Sequence, residues 1–310
     1  MALTLEPCRS LADCMELNDF LRAGAGVYPS LYVWEPRRWE GQLFHRNHAD
    51  LVATRARVAL EVVLAKQDGN VVGAVTPEYP GGVFLQAAPN DEVTQAALLD
   101  WAIANLRQNS DAGGQWLEVW CQDGDELRTR LLSDRGFSPT SEHQYVRLRD
   151  SAEPAAAPIA DGYSVRSYST FDDTDSERMA NLLNAAFGRD FHSAEEYANF
   201  SALAPSFEEA LQVVAIAPDG SFAAHAGFTI HRAENFGVME PVATHPDHQN
   251  LGLARAAIAE GVNRCLAAGV TRLYVGAWYS NPVSNHVYDA MGFAGPVASD
   301  RIWRRDWSAD

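Results

Sequence analysis

Residues 240–254 read Glu240-Pro-Val-Ala-Thr-His-Pro-Asp-His-Gln-Asn-Leu-Gly-Leu-Ala254. Strand character ends near Thr244, and His245-Pro246-Asp247 makes a turn. From Asn250 onward the apolar residues take helical spacing, at Leu251, Ala254, Ile258, Val262, Cys265 and Leu266. The pattern predicts a strand over Val238–Thr244 and a helix over Asn250–Ala268. It places Gln249, Asn250, Leu251, Gly252, Leu253 and Ala254 on the helix's first turn. A helix start carries backbone N–H groups without intrahelical partners and a partial positive charge, which suits an anionic phosphate. Gly252 has no Cβ, so a ligand can approach the backbone closely.

Gln249-x-x-Gly252-x-Ala254, after a strand and before a long helix, resembles the acyl-CoA pyrophosphate loop of the GNAT N-acetyltransferase superfamily. Further on, Asn281-Pro-Val-Ser-Asn-His-Val-Tyr288-Asp-Ala-Met-Gly-Phe293 is similar to a second segment of that family, with Ser284 where the family has Ala. The resemblance is specific over residues 161–300. It implies an α/β (α+β) fold whose mixed, mostly antiparallel, twisted sheet is flanked by helices. It also implies acetyl-CoA as acyl-donor substrate and a primary amine as acceptor, with direct attack in a ternary complex. By match, Val242, Ala243 and Thr244 line the pantetheine arm, and Gln249–Ala254 hold the pyrophosphate. Asn281 and Ser284 add contacts to the cofactor, though Asn281 also suits a helix N-cap.

The rest of the chain repeats this order. In the first half, strands are expected at residues 1–9, Val58–Ala65, Val71–Thr76, Gly82–Ala87, Trp116–Cys121 and Gln144–Leu148. Asp68-Gly69 between apolar runs is a hairpin signal. Helices are expected at Leu11–Leu21, Val93–Leu106 and Glu126–Leu132, with Gly24-Ala-Gly26 as a C-cap and turn. The aromatic, Arg-rich segment Tyr28–Asp50 reads as a helix with loops and carries no functional signal. Ser151–Ala160, with two prolines among small residues, reads as a linker. The second half then runs strand, helix, helix, hairpin, strand, helix, strand, helix, and Gly292-Phe293 matches Gly136-Phe137. Counting back from those pairs, Leu132 takes the place of Tyr288 and Asp125 that of Asn281. Before the first-half helix, Asp91 and Glu92 stand where a pyrophosphate would sit. Two tandem GNAT-like domains are therefore expected: 1–150, degenerate and without a CoA motif, and 161–310, catalytic, joined by the linker 151–160.

Composition narrows the function. The formal net charge is −17, and it divides as 14 basic against 21 acidic residues over 1–150 and 10 against 20 over 151–310. No basic stripe appears, which argues against nucleic acid as a partner. No apolar run is long enough to span a membrane, and the N-terminus lacks a signal-peptide pattern. A cytoplasmic protein, monomer or homodimer, is expected, with a small-molecule amine as the acceptor. Its four cysteines, Cys8, Cys14, Cys121 and Cys265, have no metal spacing and read as buried or free thiols. A peptide N-terminus or lysine is the alternative acceptor, and a non-catalytic CoA-binding regulatory module is the alternative class.

A thioester is attacked directly by an amine, so the protein must position the donor, deprotonate the amine and protonate the leaving thiolate. Pro241 cannot donate to a sheet ladder and predicts a break between Val238–Thr244 and Leu273–Trp278, the splay that admits pantetheine in the family. Tyr288 matches the tyrosine that commonly serves as general acid; a packing role ahead of Gly292-Phe293 is its other reading. Glu240 is the candidate base. Strand alternation puts it on the face of Val238, and apolar enclosure is expected to tune it; a structural carboxylate paired with an arginine is the competing role. His225, His231 and His286 are further candidate bases. Trp278 and Tyr279 are placed to wall the acceptor pocket. His245 and His248 flank Pro246-Asp247, but no helix presents them and no third ligand is evident, so no metal site is expected.

Overall fold

The computed structural model describes residues 2–24, 35–45, 50–111 and 113–308. Strands and helices follow in chain order: β1 (Thr4–Pro7), α1 (Leu11–Ala23), α2 (Pro36–Phe44), α3 (Asp50–Glu61), β2 (Val63–Gln67), β3 (Asn70–Tyr79), β4 (Gly82–Ala87), α4 (Glu92–Asn105), β5 (Gln108–Asn109), β6 (Gln115–Gln122), α5 (Glu126–Asp134), β7 (Ser138–Asp150) and β8 (Ser164–Ser167). Then come α6 (Asp173–Phe187), α7 (Ala194–Leu203), β9 (Gln212–Ile216), β10 (Phe222–His231), β11 (Phe236–Thr244), α8 (Leu253–Ala267), β12 (Arg272–Trp278), α9 (Pro282–Ala290) and β13 (Ala294–Trp307). The fold is a mixed α/β arrangement in which most strand pairs are antiparallel.

Two compact units divide the chain, and they interleave. The first comprises Met1–Pro36, Val52–Tyr145 and Ala298–Asp310; the second comprises Arg37–Leu51 and Val146–Val297. Sequence reading expects two consecutive halves. Instead Arg37–Leu51 joins the second unit, and the C-terminal strand joins the first. The linker expectation also changes. Residues 151–160 lack regular structure, but Asn263 on α8 accepts the Ala155 N–H at 2.8 Å and donates to its carbonyl at 2.9 Å. Ala155 and Ala157 pack on the second unit's core.

In the first unit the strand order is β1-β2-β3-β4-β6-β13, with β4–β6 parallel and the other pairs antiparallel. Asp68 and Gly69 take φ 56° and 81°, the conformation that a two-residue hairpin turn requires. Val58–Glu61 is the end of α3, not a strand; a run of three apolar residues cannot distinguish the two by period alone. The core joins Val75, Leu85 and Leu117 of the sheet to Leu98 on α4 and to Leu132 and Phe137. Gly26 and most of the loops within 28–50 lie outside the described residues; Gly24 is the C-cap of α1.

In the second unit the order is β8-β9-β10-β11-β12, antiparallel except for β11–β12. That parallel pair needs a crossover, which α8 supplies. Ala226, Phe228 and Met239 of the sheet pack against Ile258, Val262 and Cys265 of α8, against Tyr288 of α9 and against Met291 just after it. The closest approach is at Gly261, where a Cβ would come 2.1 Å from Cε2 of the fully buried Phe228 ring.

Alanine ordinarily stabilises a helix interior over glycine by about 0.5–1 kcal/mol. At this position overpacking reverses the sign, so Gly261→Ala is expected to destabilise the chain by about 1–3 kcal/mol. The readout is a lower urea midpoint at unchanged slope. A midpoint at or above wild type would contradict the contact.

Candidate active site

β11 and β12 pair only at their beginnings: Phe236 with Arg272, Gly237 with Leu273 and Val238 with Tyr274. Beyond these pairs, Gly276 on β12 is exposed, and Val242 and Thr244 on β11 are partly so. The parting therefore starts before Pro241. On its other edge β11 stays with β10, where Met239 faces Phe228 and Val242 faces Ala226. Two β11 residues, Glu240 and Pro241, thus oppose the single residue Gly227, forming a bulge. The bulge contains Glu240, so the alternation expected from Val238 does not run undisturbed through it. Met239 and Val242 both face the α8 core instead. A Cβ on Gly227 would meet the Glu240 carbonyl at 3.0 Å, which explains glycine there.

The loop after β11 ends at α8. It starts with a 3-10 turn, Pro246–His248, and then Asn250 and Gly252 take φ 62° and 75°. These left-handed positions cannot belong to a helix, so Gln249–Gly252 form the approach to α8 and not its first turn. Gly252 is the N-cap and makes no side-chain capping bond. The N-caps of α1, α4, α5, α6, α7 and α9 all place a side-chain oxygen on the backbone of their helix. Helix α8 instead presents its first-turn N–H groups at Leu253 and Ala254 without a side-chain cap, as an anion site requires. The matching helix of the first unit, α4, is closed. Asp91 accepts from Thr94 N at 3.0 Å, and Glu92 pairs with Arg130 at 2.9 Å.

Tyr288 lies on α9, buried in the core with Met239, Ala277 and Phe293. Ser284, one turn earlier on the same helix, lies near its hydroxyl. Burial first, then the nearby Glu240 carboxylate, push its pKa up to about 12 against the opposing effect of Ser284. The phenol keeps its proton throughout the neutral range. Asn281 caps α9, accepting from Ser284 N at 3.1 Å. Local geometry recurs in the first unit: Asp125 caps α5 onto Arg128 N at 2.9 Å. Phe137 N bonds the Leu132 carbonyl at 3.0 Å, as Phe293 N bonds that of Tyr288 at 2.9 Å. The first unit retains the scaffold, with Leu132 in place of the phenol.

Glu240 is paired, not enclosed by apolar neighbours. Arg38 Nε lies 2.9 Å from its carboxylate, which is 40% exposed, and Arg37 donates to its backbone carbonyl at 2.6 Å. Arg37 also reaches Gln212 Oε1 at 3.4 Å and lies over the Phe200 ring. Both arginines come from α2, within Tyr28–Asp50, whose sequence carries no functional signal. Their one signal is a pair of adjacent arginines at the start of a helix. Near them His225 is fully buried, with no hydrogen-bond partner on either ring nitrogen among the described residues. Burial first and Arg37 second push its pKa down to about 3, so it is neutral. His231 stacks on Phe236, and His286 is exposed on α9. His245 Nδ1 accepts from Asp247 N at 3.2 Å, and His248 Nδ1 bonds the Tyr163 hydroxyl at 2.9 Å. Trp278 and Tyr279, at the end of β12, are exposed. The structure thus brings Glu240, Ser284 and Tyr288 together beside the parted strands, with the open start of α8 beyond the same strand.

Among the described residues no helix is long and apolar enough to cross a membrane. Several solved structures share the fold. The chain aligns with a GCN5-related N-acetyltransferase from Sphaerobacter thermophilus at TM-score 0.60 and 14% identity, covering 99% of this chain and 97% of that one. A tandem GNAT protein from the clavulanic acid biosynthesis pathway aligns at 0.62 and 14%, covering 98% of each chain. A GNAT-family acetyltransferase from Colwellia psychrerythraea aligns at 0.57 and 12%, covering 98% and 100%. No curated protein matches significantly. At these identities the alignments show the fold. The sequence model of the acetyltransferase (GNAT) family matches residues 176–293, the segment that contains β11, α8, β12 and α9.

Proposed function

We propose that the second unit transfers an acetyl group from acetyl-CoA to the primary amine of a small molecule, by direct attack within a ternary complex. The observation that carries this reading is the uncapped start of α8 beside a ladder that opens after Val238 and Tyr274. The pyrophosphate takes the N–H groups around Gly252, Leu253 and Ala254, with Gln249, Asn250 and Leu251 shaping the approach. Pantetheine, an extended chain with two amides, lies along Val242, Ala243 and Thr244 and bonds the backbone that β12 leaves. Asn281 and Ser284 flank its thiol end. The amine attacks the thioester carbon, the C–N bond forms, and the C–S bond breaks. Tyr288 gives its proton to the sulfur as the C–S bond breaks; because a thiol's reference pKa of about 8.5 lies below that of a phenol, the resulting phenolate is the stronger base and takes a proton back from solvent before the next turnover. The ammonium's proton goes to Glu240, directly or through water, and the acceptor cation competes with Arg38 for that carboxylate.

Tyr288→Phe keeps the ring and removes the proton. kcat is expected to fall by roughly 10²–10⁴ while acetyl-CoA affinity changes little. Wild-type turnover in a thiol-release assay would return Tyr288 to packing alone.

Glu240→Gln removes the proton acceptor. The deficit in kcat/KM is expected to be largest near neutral pH, where the amine is mostly ammonium, and to shrink as pH approaches the amine's own pKa. A pH–rate series on a panel of small amines and peptides reads both the base and the acceptor class. A deficit that is constant with pH would make Glu240 a holder of the acceptor or of the strand.

A further inference from the structure

Three donor side chains of the second unit converge beside Phe200. His45 follows the last turn of α2, His192 precedes α7, and Glu196 lies in the first turn of α7. His45 Nδ1 lies 3.1 Å from Glu196 Oε1, and His192 Nδ1 lies 2.9 Å from Oε2 and 3.2 Å from Oε1. The three donor atoms fall within 4.8 Å of one another, and theirs is the sole such group among the described residues. All three side chains are largely removed from solvent, at 18%, 8% and 5% exposure.

The surroundings hold each donor in place. Ser193 N donates to Glu196 Oε2 at 3.2 Å, which fixes the carboxylate from outside the cluster. Asn184 on α6 accepts the His192 N–H at 3.1 Å and donates to its carbonyl at 2.9 Å. The His45 ring stacks on Phe200, centroids 4.0 Å apart, and Tyr197 lies against it. The result is a built, apolar-walled site with two imidazoles and one carboxylate.

We propose that His45, His192 and Glu196 bind one divalent transition metal ion, with Zn(II) as the matching occupant. Two imidazole nitrogens and one carboxylate oxygen form a Zn donor set, and Zn takes such donors at about 2.0–2.2 Å in tetrahedral geometry. Tetrahedral donors at those lengths stand about 3.3 Å apart. The imidazole–carboxylate spacings of 2.9–3.2 Å lie within a few tenths of an ångström of that value, and all three donor atoms fall within 4.8 Å of one another. A carboxylate only accepts, so His192 donates its Nδ1–H to Glu196 in the metal-free cluster. On coordination that proton moves to Nε2, and the ring stays neutral. Water completes the fourth position. The ion would pin the end of α2 to α7 and so fix the helix that delivers Arg37 and Arg38 to Glu240. The proposal is independent of the acyl-transfer reading.

Zinc chloride titrated calorimetrically into the full chain, after EDTA treatment and dialysis, is expected to show one site per chain. Co(II) as a second probe is expected to give the visible d–d bands of a four- or five-coordinate ion. His192→Ala and Glu196→Gln should each weaken Zn(II) binding at least about tenfold and abolish those bands. The amide introduced by Glu196→Gln retains an oxygen for Ser193 N, so helix α7 keeps its cap, and circular dichroism checks the fold. His245→Ala, which alters the other histidine pair, should leave the titration unchanged. Absence of stoichiometric Zn(II) binding in the wild type overturns the proposal and leaves a hydrogen-bonded triad. Equal affinity in wild type and Glu196→Gln overturns it as well. Should both variants fail to fold, the wild-type Co(II) spectrum decides, since bands typical of six-coordinate cobalt would exclude this site.

Discussion

The second unit depends on one constraint: beyond Val238 and Tyr274 the strands β11 and β12 no longer share a ladder. Backbone N–H and C=O groups need partners wherever they are withdrawn from water. Proline at 241 has no N–H to offer, and Glu240 and Pro241 are absorbed as a bulge against Gly227. The strand therefore keeps its hold on β10 while its other edge is available to a ligand that carries its own amides. The start of α8 beyond the same strand needs no side-chain cap if an anion takes that place. The donor proposed above, a pantetheine chain ending in a pyrophosphate, would meet both requirements together.

The first unit shows what the same scaffold is without those requirements. Its corresponding helix α4 is capped by Asp91, whose carboxylate occupies the place of an incoming anion. Its α5 copies the cap and the closing hydrogen bond of α9, but Leu132 fills the position of Tyr288. The two units thus share the parts that bury apolar area and differ at the start of the helix and at the position of Tyr288.

The legible features were the local ones. The loop into α8, the proline in β11, the cap at Asn281 and the tyrosine seven residues later are each readable because spacing along the chain determines geometry within one turn or one strand. Arg37 and Arg38 were not readable. They reach Glu240 across 203 and 202 residues, and nothing in Tyr28–Asp50 encodes that distance. The apolar enclosure expected for Glu240 fails for the same reason, since its neighbours come from α2 and not from its own strand. The exchange of β13 into the first unit is equally invisible, because a strand's pattern specifies its faces and not its partner. Apolar spacing continues through Leu251 and so predicts a helix start before the real one, because the left-handed turns at Asn250 and Gly252 leave no trace in that period.

The central claim is that acetyl-CoA binds once per chain, with its pyrophosphate at the open start of α8. Calorimetric titration of acetyl-CoA into the wild type and into Gly252→Asp tests it most directly. Aspartate tolerates the left-handed backbone at that position better than most residues, and its carboxylate would oppose the pyrophosphate at a cost of several kcal/mol. One site per chain in the wild type, with affinity lowered by more than about a hundredfold in a folded Gly252→Asp chain, is the predicted result. Two equivalent sites, or an affinity indifferent to Gly252→Asp, would contradict it.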